Sequence, residues 1–225
     1  MMNDNILPRF GKAIDLIERF NIKAYTFLDL GCGDGGLSME IAKIVGAKEV
    51  YCVDIDVEAL RRASLRNIKT FALDISKDII PFPNNSVDLV TALEVIEHLI
   101  NPDNMLRETY RVLKPSGYFL ISTPNLASWV NGVLLLLGYQ PYNCEASTEV
   151  LAGVLWRGRT FAKPAGHIRA FTLRALKELL KYHGFKIINV KGAPGVEPKE
   201  LRYIDALLSS IPSLARRLIV LAQKV

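Results

Sequence analysis

Five short apolar segments between residues 25 and 122 alternate with amphipathic ones, and this rhythm narrows the possible folds more than any other feature of the chain. Residues 25–30, 49–53, 69–73, 87–93 and 118–122 read as strands. Apolar residues recur at helical spacing over 8–20, 37–45, 57–67 and 101–113. Repeated βα units argue for a mostly parallel sheet with helices on both faces. Local punctuation agrees: Pro81, Pro83, Asn84 and Asn85 mark a turn, and Asn101 followed by Pro102 opens a helix. After Asn125 the rhythm breaks. Residues 126–166 separate the fifth strand from a helix over 172–183, which Gly184 stops. A sixth strand (185–190), an amphipathic helix (197–211) and a seventh strand (217–225) follow. At about 150 residues per domain, residues 1–225 are expected to form a single domain, with 126–166 as a lid or acceptor wall.

Composition removes other classes. Half the residues are hydrophobic and 23% are charged, which suits a globular chain with a core and not a disordered one. No apolar run reaches the length of a membrane-spanning helix, and no secretory signal is visible. Cys32, Cys52 and Cys144 are scattered, which fits a reduced cytoplasmic protein and not a disulfide scaffold. No CxxC or HxxxH spacing points to zinc. The net charge of +5 is concentrated: seven bases, among them Arg157, Arg159, Lys163 and Arg169, face one acid, Glu178, over 151–185. That stretch either meets an anionic ligand or is a solvated face.

Gly31, Gly33 and Gly36 form GxGxxG between a strand and a helix, where backbone N–H groups and a helix N-terminus can approach a ligand. Asp54 ends the next strand, placed to accept both hydroxyls of a ribose. The motif alone fits a nicotinamide dinucleotide or S-adenosylmethionine (SAM). Asp29, two residues before Gly31, would repel a diphosphate but tolerates the sulfonium and ammonium of SAM. Asp74 and Glu94 end the third and fourth strands. Carboxylates at strand ends suit a cationic nucleoside.

Leu28-Asp-Leu-Gly-Cys-Gly-Asp-Gly-Gly36, Val53-Asp-Ile-Asp56, Leu73-Asp-Ile75, Ala92-Leu-Glu-Val-Ile-Glu-His-Leu99 and Leu113-Lys-Pro-Ser-Gly117 resemble the ordered motifs of class I SAM-dependent methyltransferases, with a likeness to the small-molecule, quinone-biosynthesis type. The resemblance implies an α/β, Rossmann-like, doubly wound sheet of seven strands in the order 3-2-1-4-5-7-6, the last antiparallel, with an insert after strand 5. It implies SAM as cofactor, with Gly31 and Gly33 lining the methionine part, Asp54 the ribose, and Asp74 and Ile75 the adenine. Leu93 and Glu94 would lie beside the methionyl part and the transferring methyl. Asp29 in the first strand, Cys32 in the loop, and Ile55 beside Asp54 complete the expected cofactor-binding set.

On the acceptor side, Ser122-Thr-Pro-Asn125 follows the fifth strand, and similar turns occur in the small-molecule members of the resembled family. The run Trp129 to Leu137 is expected to be a helix packed on the core or a partner, with an apolar acceptor pocket or a lipid-facing surface as the other reading. His167, His98 and Glu94 are the expected catalytic residues, His167 or His98 as the base for a hydroxyl acceptor. His183 reads as a helix C-terminal histidine. On one helical turn Glu94, Glu97 and His98 would share a face. Some hydroxyl-methylating enzymes of the resembled class hold a divalent ion on such a group with a further His, but the Glu-His pair is also common without one, and no metal is expected. The reaction expected is methyl transfer from SAM to an O, N or C nucleophile of a small acceptor, anionic or apolar. An RNA or protein substrate, or a non-catalytic SAM-binding partner protein, is the alternative. Nucleic acid is disfavoured because no appended binding module accompanies the basic stretch.

Overall fold

The computed structural model describes residues 8–155, 163–195 and 198–225. The elements in chain order are α1 (Pro8–Arg19), β1 (Thr26–Leu30), α2 (Gly36–Val45), β2 (Glu49–Asp54), α3 (Val57–Ser64), β3 (Lys69–Ala72), β4 (Val87–Leu93), α4 (Pro102–Val112), β5 (Leu113–Pro124), α5 (Trp129–Leu136), α6 (Leu173–Tyr182), β6 (Phe185–Ala193), α7 (Arg202–Leu208) and β7 (Arg217–Lys224). Short 3-10 turns lie at Ile96–His98 and Lys199–Leu201.

The strands form one sheet in the order β3-β2-β1-β4-β5-β7-β6. β1 to β5 pair in parallel, and β7 runs antiparallel to both its neighbours. This is the doubly wound, Rossmann-like architecture expected. The two-residue period of the strands splits the core into two layers. Val90 and Ala92 of β4 join Leu106 of α4 and Leu176 of α6, while Leu89 and Leu93 join Ile17 of α1 and Ile41 of α2. Capping follows the sequence signals. The Asp56, Asn101 and Thr172 side chains accept backbone N–H groups at the starts of α3, α4 and α6, each worth about 1 kcal/mol.

Two elements differ from expectation, and a third agrees with it. The helix expected over 197–211 is reduced to α7 and the 3-10 turn before it, since Ser209 turns its hydroxyl back onto the carbonyl of Asp205 and Pro212 follows. The turn at 114–117 lies inside the extent of β5 as an outward bulge: pairing steps from Val87↔Leu113 to Leu89↔Tyr118, with Ser116 at φ 63°. The apolar run in the insert is α5, whose Val130 and Leu134 are buried while Leu136 is 88% exposed. α5 is tied to α7 by a bond from Trp129 Nε1 to Asp205 at 2.7 Å. Arg157 and Arg159 lie outside the described residues. Among the described residues no helix is long and apolar enough to cross a membrane.

Candidate active site

The expected cofactor residues lie at or just beyond the C-terminal ends of β1, β2, β3 and β4. Gly31 sits at φ +70°, and a Cβ there would lie 2.4 Å from the Val95 side chain, so only glycine fits. The second tight position is Gly35 at φ +72°, where a Cβ would press on Ile68 at 2.5 Å. Gly36, the third glycine of the motif, merely begins α2. A Cβ at Gly33 would meet nothing within 4 Å, so the loop presents open space above this residue.

Asp54 closes the loop from the side. Its Oδ2 accepts the Gly33 N–H at 2.8 Å and its Oδ1 the Asp56 N–H at 2.9 Å. Ile55 beside it is 72% exposed. Asp74 is a turn residue: it accepts the Ser76 N–H at 2.9 Å and faces Lys77, and the backbone bond to Ser76 holds its pKa below the usual carboxylate range. Ile75 is buried in the core. Asp29 is buried, accepting the Ser38 and Thr91 hydroxyls at 2.5 Å each. Burial raises its pKa to about 6 despite those bonds. Asp29 therefore braces β1 against α2 and β4. Cys32 packs beside Cys52, and this contact and burial push its thiol well above the ordinary range.

Glu94 ends β4 at φ 61°, a left-handed conformation that costs a non-glycine residue about 1 kcal/mol or more. Its Oε1 accepts the Ser122 hydroxyl at 2.9 Å and its Oε2 pairs with Arg217 at 2.9 Å. That pairing corrects one expectation. Ile96–His98 is a 3-10 turn, and the described residues whose donor atoms could close on one cation, all within 4.8 Å of one another, are Glu97, His98 and His167. Glu94 is engaged elsewhere.

This group forms because the end of the insert docks on the turn. The N–H groups of Ile168 and Arg169 both donate to the Glu97 carbonyl, at 2.8 and 2.9 Å. The His98 and His167 rings come to 5.0 Å between centroids. His98 Nδ1 lies 3.0 Å from the Gly166 carbonyl, which can only accept, so in the neutral ring Nδ1 carries the proton and Nε2 is bare. Nε2 is 4.0 Å from Glu97 Oε1. Glu97 is 2% exposed; Thr123 donates to its Oε2 at 3.0 Å, and its Oε1 has no hydrogen-bond partner. Burial and the neighbouring Glu94 charge push its pKa up to about 8. Burial and the His98 charge lower that of His167, which is therefore neutral at pH 7.

The Glu97 shift predicts a stability signature. A native pKa of about 8 against an ordinary 4.5 means that the folded protein holds a proton the unfolded chain has lost. Stability should fall as pH rises between these values. Thermal melts across that window should decline less steeply for Glu97→Gln than for the parent; parallel slopes would refute the shift.

Sequence reading missed Arg217 and Glu145, and it gave Thr123 no role beyond its place in the Ser122 to Asn125 turn. Each bonds across a long sequence separation, which leaves no local mark. Asn125 is fully buried, donating to the Ser213 and Ala215 carbonyls, and so staples the top of β5 to the approach of β7. His183 caps α6 and pairs with Asp103 at 2.8 Å, as a helix-terminal histidine should.

Residues 7–190 match the family described as "Methyltransferase domain". A probable S-adenosylmethionine-dependent methyltransferase of Mycobacterium tuberculosis is 35% identical over 105 residues, 47% of this chain and 38% of that protein. The ubiquinone/menaquinone biosynthesis C-methyltransferase UbiE of Escherichia coli is 34% identical over 134 residues, 54% of this chain and 52% of that protein. The aligned regions thus span about half or less of the length of these relatives. A putative S-adenosylmethionine-dependent methyltransferase from Listeria monocytogenes shares the fold, with a TM-score of 0.64 at 19% identity over 97% of this chain and 99% of that one.

Proposed function

We infer the acceptor side from one premise: the chain belongs to the methyltransferase domain family, and its methyl donor is S-adenosylmethionine. The reading is methyl transfer to a hydroxyl of a small acceptor. The observation that carries it is the pair of imidazoles, His98 and His167, brought to 5.0 Å beside the end of β4. A sulfonium needs no acid to leave, so bases gathered here serve the acceptor.

The loop fits SAM. Space opens above Gly33, the nearby side chains Asp29 and Asp54 are acidic, and the base at the loop, Arg66, is paired with Asp34 at 3.1 Å. In this reading Gly31, Cys32 and Gly33 line the methionine part, Asp54 and Ile55 hold the ribose, and Asp74 and Ile75 border the adenine. Leu93 and Glu94 flank the methionyl part. Asp29 acts through the loop it braces. Bound SAM supplies a methyl carbon already activated for in-line attack. The protein's share is then alignment and the exclusion of water. His167, held neutral, takes the hydroxyl proton on its ring nitrogen. Arg217 holds Glu94 in place beside it. The insert, with α5 as its rigid part, walls the acceptor side of the same domain.

A carbon nucleophile is the second reading. The Escherichia coli relative is named a C-methyltransferase, and carbon attack by a hydroxyaromatic ring likewise begins with loss of a hydroxyl proton. Labelled-methyl transfer from SAM into hydroxylated small molecules, RNA and protein, with product masses and bond positions, separates the readings. Label entering only RNA or protein would overturn this one. Activity is further expected to survive exhaustive chelation, because protonated Glu97 is a poor cation ligand. Loss with chelator and recovery with magnesium or manganese would reverse that expectation.

A further inference from the structure

The hydroxyl reading leaves one question about its base. The Nδ1 of His167 is buried and has no hydrogen-bond partner. An imidazole with an idle buried nitrogen can hold its proton on either side, and in one of those states Nε2 is protonated and cannot serve as base.

Glu145, in the insert, faces this nitrogen. Its side chain is 8% exposed, and Oε1 lies 3.7 Å from His167 Nδ1. Its carboxylate also accepts three successive backbone N–H groups: Ala165 at 2.6 Å, Gly166 at 2.8 Å and His167 at 3.1 Å. Three donors hold the two carboxyl oxygens in place as acceptors. They also fix the chain trace, because the same short stretch supplies the Gly166 carbonyl that sets His98. One acid therefore governs both rings, His98 through the backbone and His167 through space.

We propose that Glu145 is a positioning residue for the acceptor site: it clamps 165–167 and receives the Nδ1–H of His167, leaving Nε2 as the bare nitrogen. The proposal rests on the hydroxyl-methylation reading for its purpose but not for its test. At 3.7 Å the bond is not closed. Hydrogen bonds of a catalytic base are often long before ligands bind and tighten in the complex. A carboxylate turned toward a histidine nitrogen is the arrangement that fixes tautomers in other bases.

The chain has only three histidines, so nitrogen-15 spectra of the full chain labelled at histidine can be assigned with His183→Gln and His98→Gln. With saturating SAM product, His167 is expected in the Nδ1–H form, with Nε2 carrying the shift of an unprotonated nitrogen. Glu145→Gln keeps the size and one acceptor oxygen but removes the charge. It should shift His167 toward a mixture of tautomers and lower the turnover of a hydroxyl acceptor about tenfold, with SAM affinity unchanged. Should Glu145→Ala fail to fold, the Gln variant still decides. A parent spectrum with Nε2 protonated, or a Gln variant with the parent tautomer, overturns the proposal. The expected tautomers in a protein that methylates no hydroxyl would uphold the clamp and sink only the reading of the acceptor.

Discussion

Replacing Asp54 by alanine is expected to weaken SAM binding by roughly 100-fold. In the proposed site its carboxylate accepts two charge-assisted bonds from the ribose, each worth about 1.5 kcal/mol, and every 1.4 kcal/mol is about a factor of ten. The same oxygens hold the Gly33 and Asp56 amides, so the loop should also loosen. Asp54→Asn separates the two losses: its amide oxygen can keep the Gly33 bond but brings no charge. Calorimetry is expected to rank the parent above Asn and Asn above Ala. Equal affinities across the three would remove Asp54 from the site.

Loss of the base should leave binding alone and strike the chemistry. His167→Gln is expected to lower the rate on a hydroxyl acceptor by about 100- to 10,000-fold, the range for a positioned general base. SAM affinity should be unchanged, since no part of the proposed nucleoside site touches this ring. The pH profile has a definite sign. The base must be unprotonated, and burial depresses the His167 pKa below 6.5, so the acid limb of the parent should lie below that value. The variant should lack that limb. Persistence of the limb in the variant would assign it to another group, with His98 the first to test.

Much of the proposed cofactor side is legible in the sequence because it is local. The glycine loop, the acid closing β2 and the acid after β3 each follow a strand within a few residues, and strands announce themselves by composition. The acceptor side is built differently. Arg217 finds Glu94 across the sheet, and Glu145 finds His167 across the insert; neither pairing leaves a periodic trace. Local rules also fail in detail where tertiary packing overrides them. The GxGxxG spacing picks out Gly36 as its third glycine, but Ile68 and Ala63 press on Gly35, a contact made by the far end of α3 and the approach to β3. Glu94 was read as part of a helical turn with Glu97 and His98. Its left-handed backbone turns the chain, and Arg217 and Ser122 take the side chain.

The position of β7 shapes how the molecule must be made. This strand is the last of the seven in sequence, yet it lies between β5 and β6 and pairs with Tyr118 to Pro124 about a hundred residues earlier. During synthesis the first five strands can assemble as they emerge, but one flank of β5 stays bare until residues 217–224 leave the ribosome. Such a flank offers unpaired amides and carbonyls to any neighbouring strand. Pairing at this sequence distance is also slow to form. The nascent chain is therefore expected to pass through a stage at which it holds a nearly complete proposed donor site, lacks the Arg217 partner of Glu94, and is most open to sticking to its neighbours on the polysome.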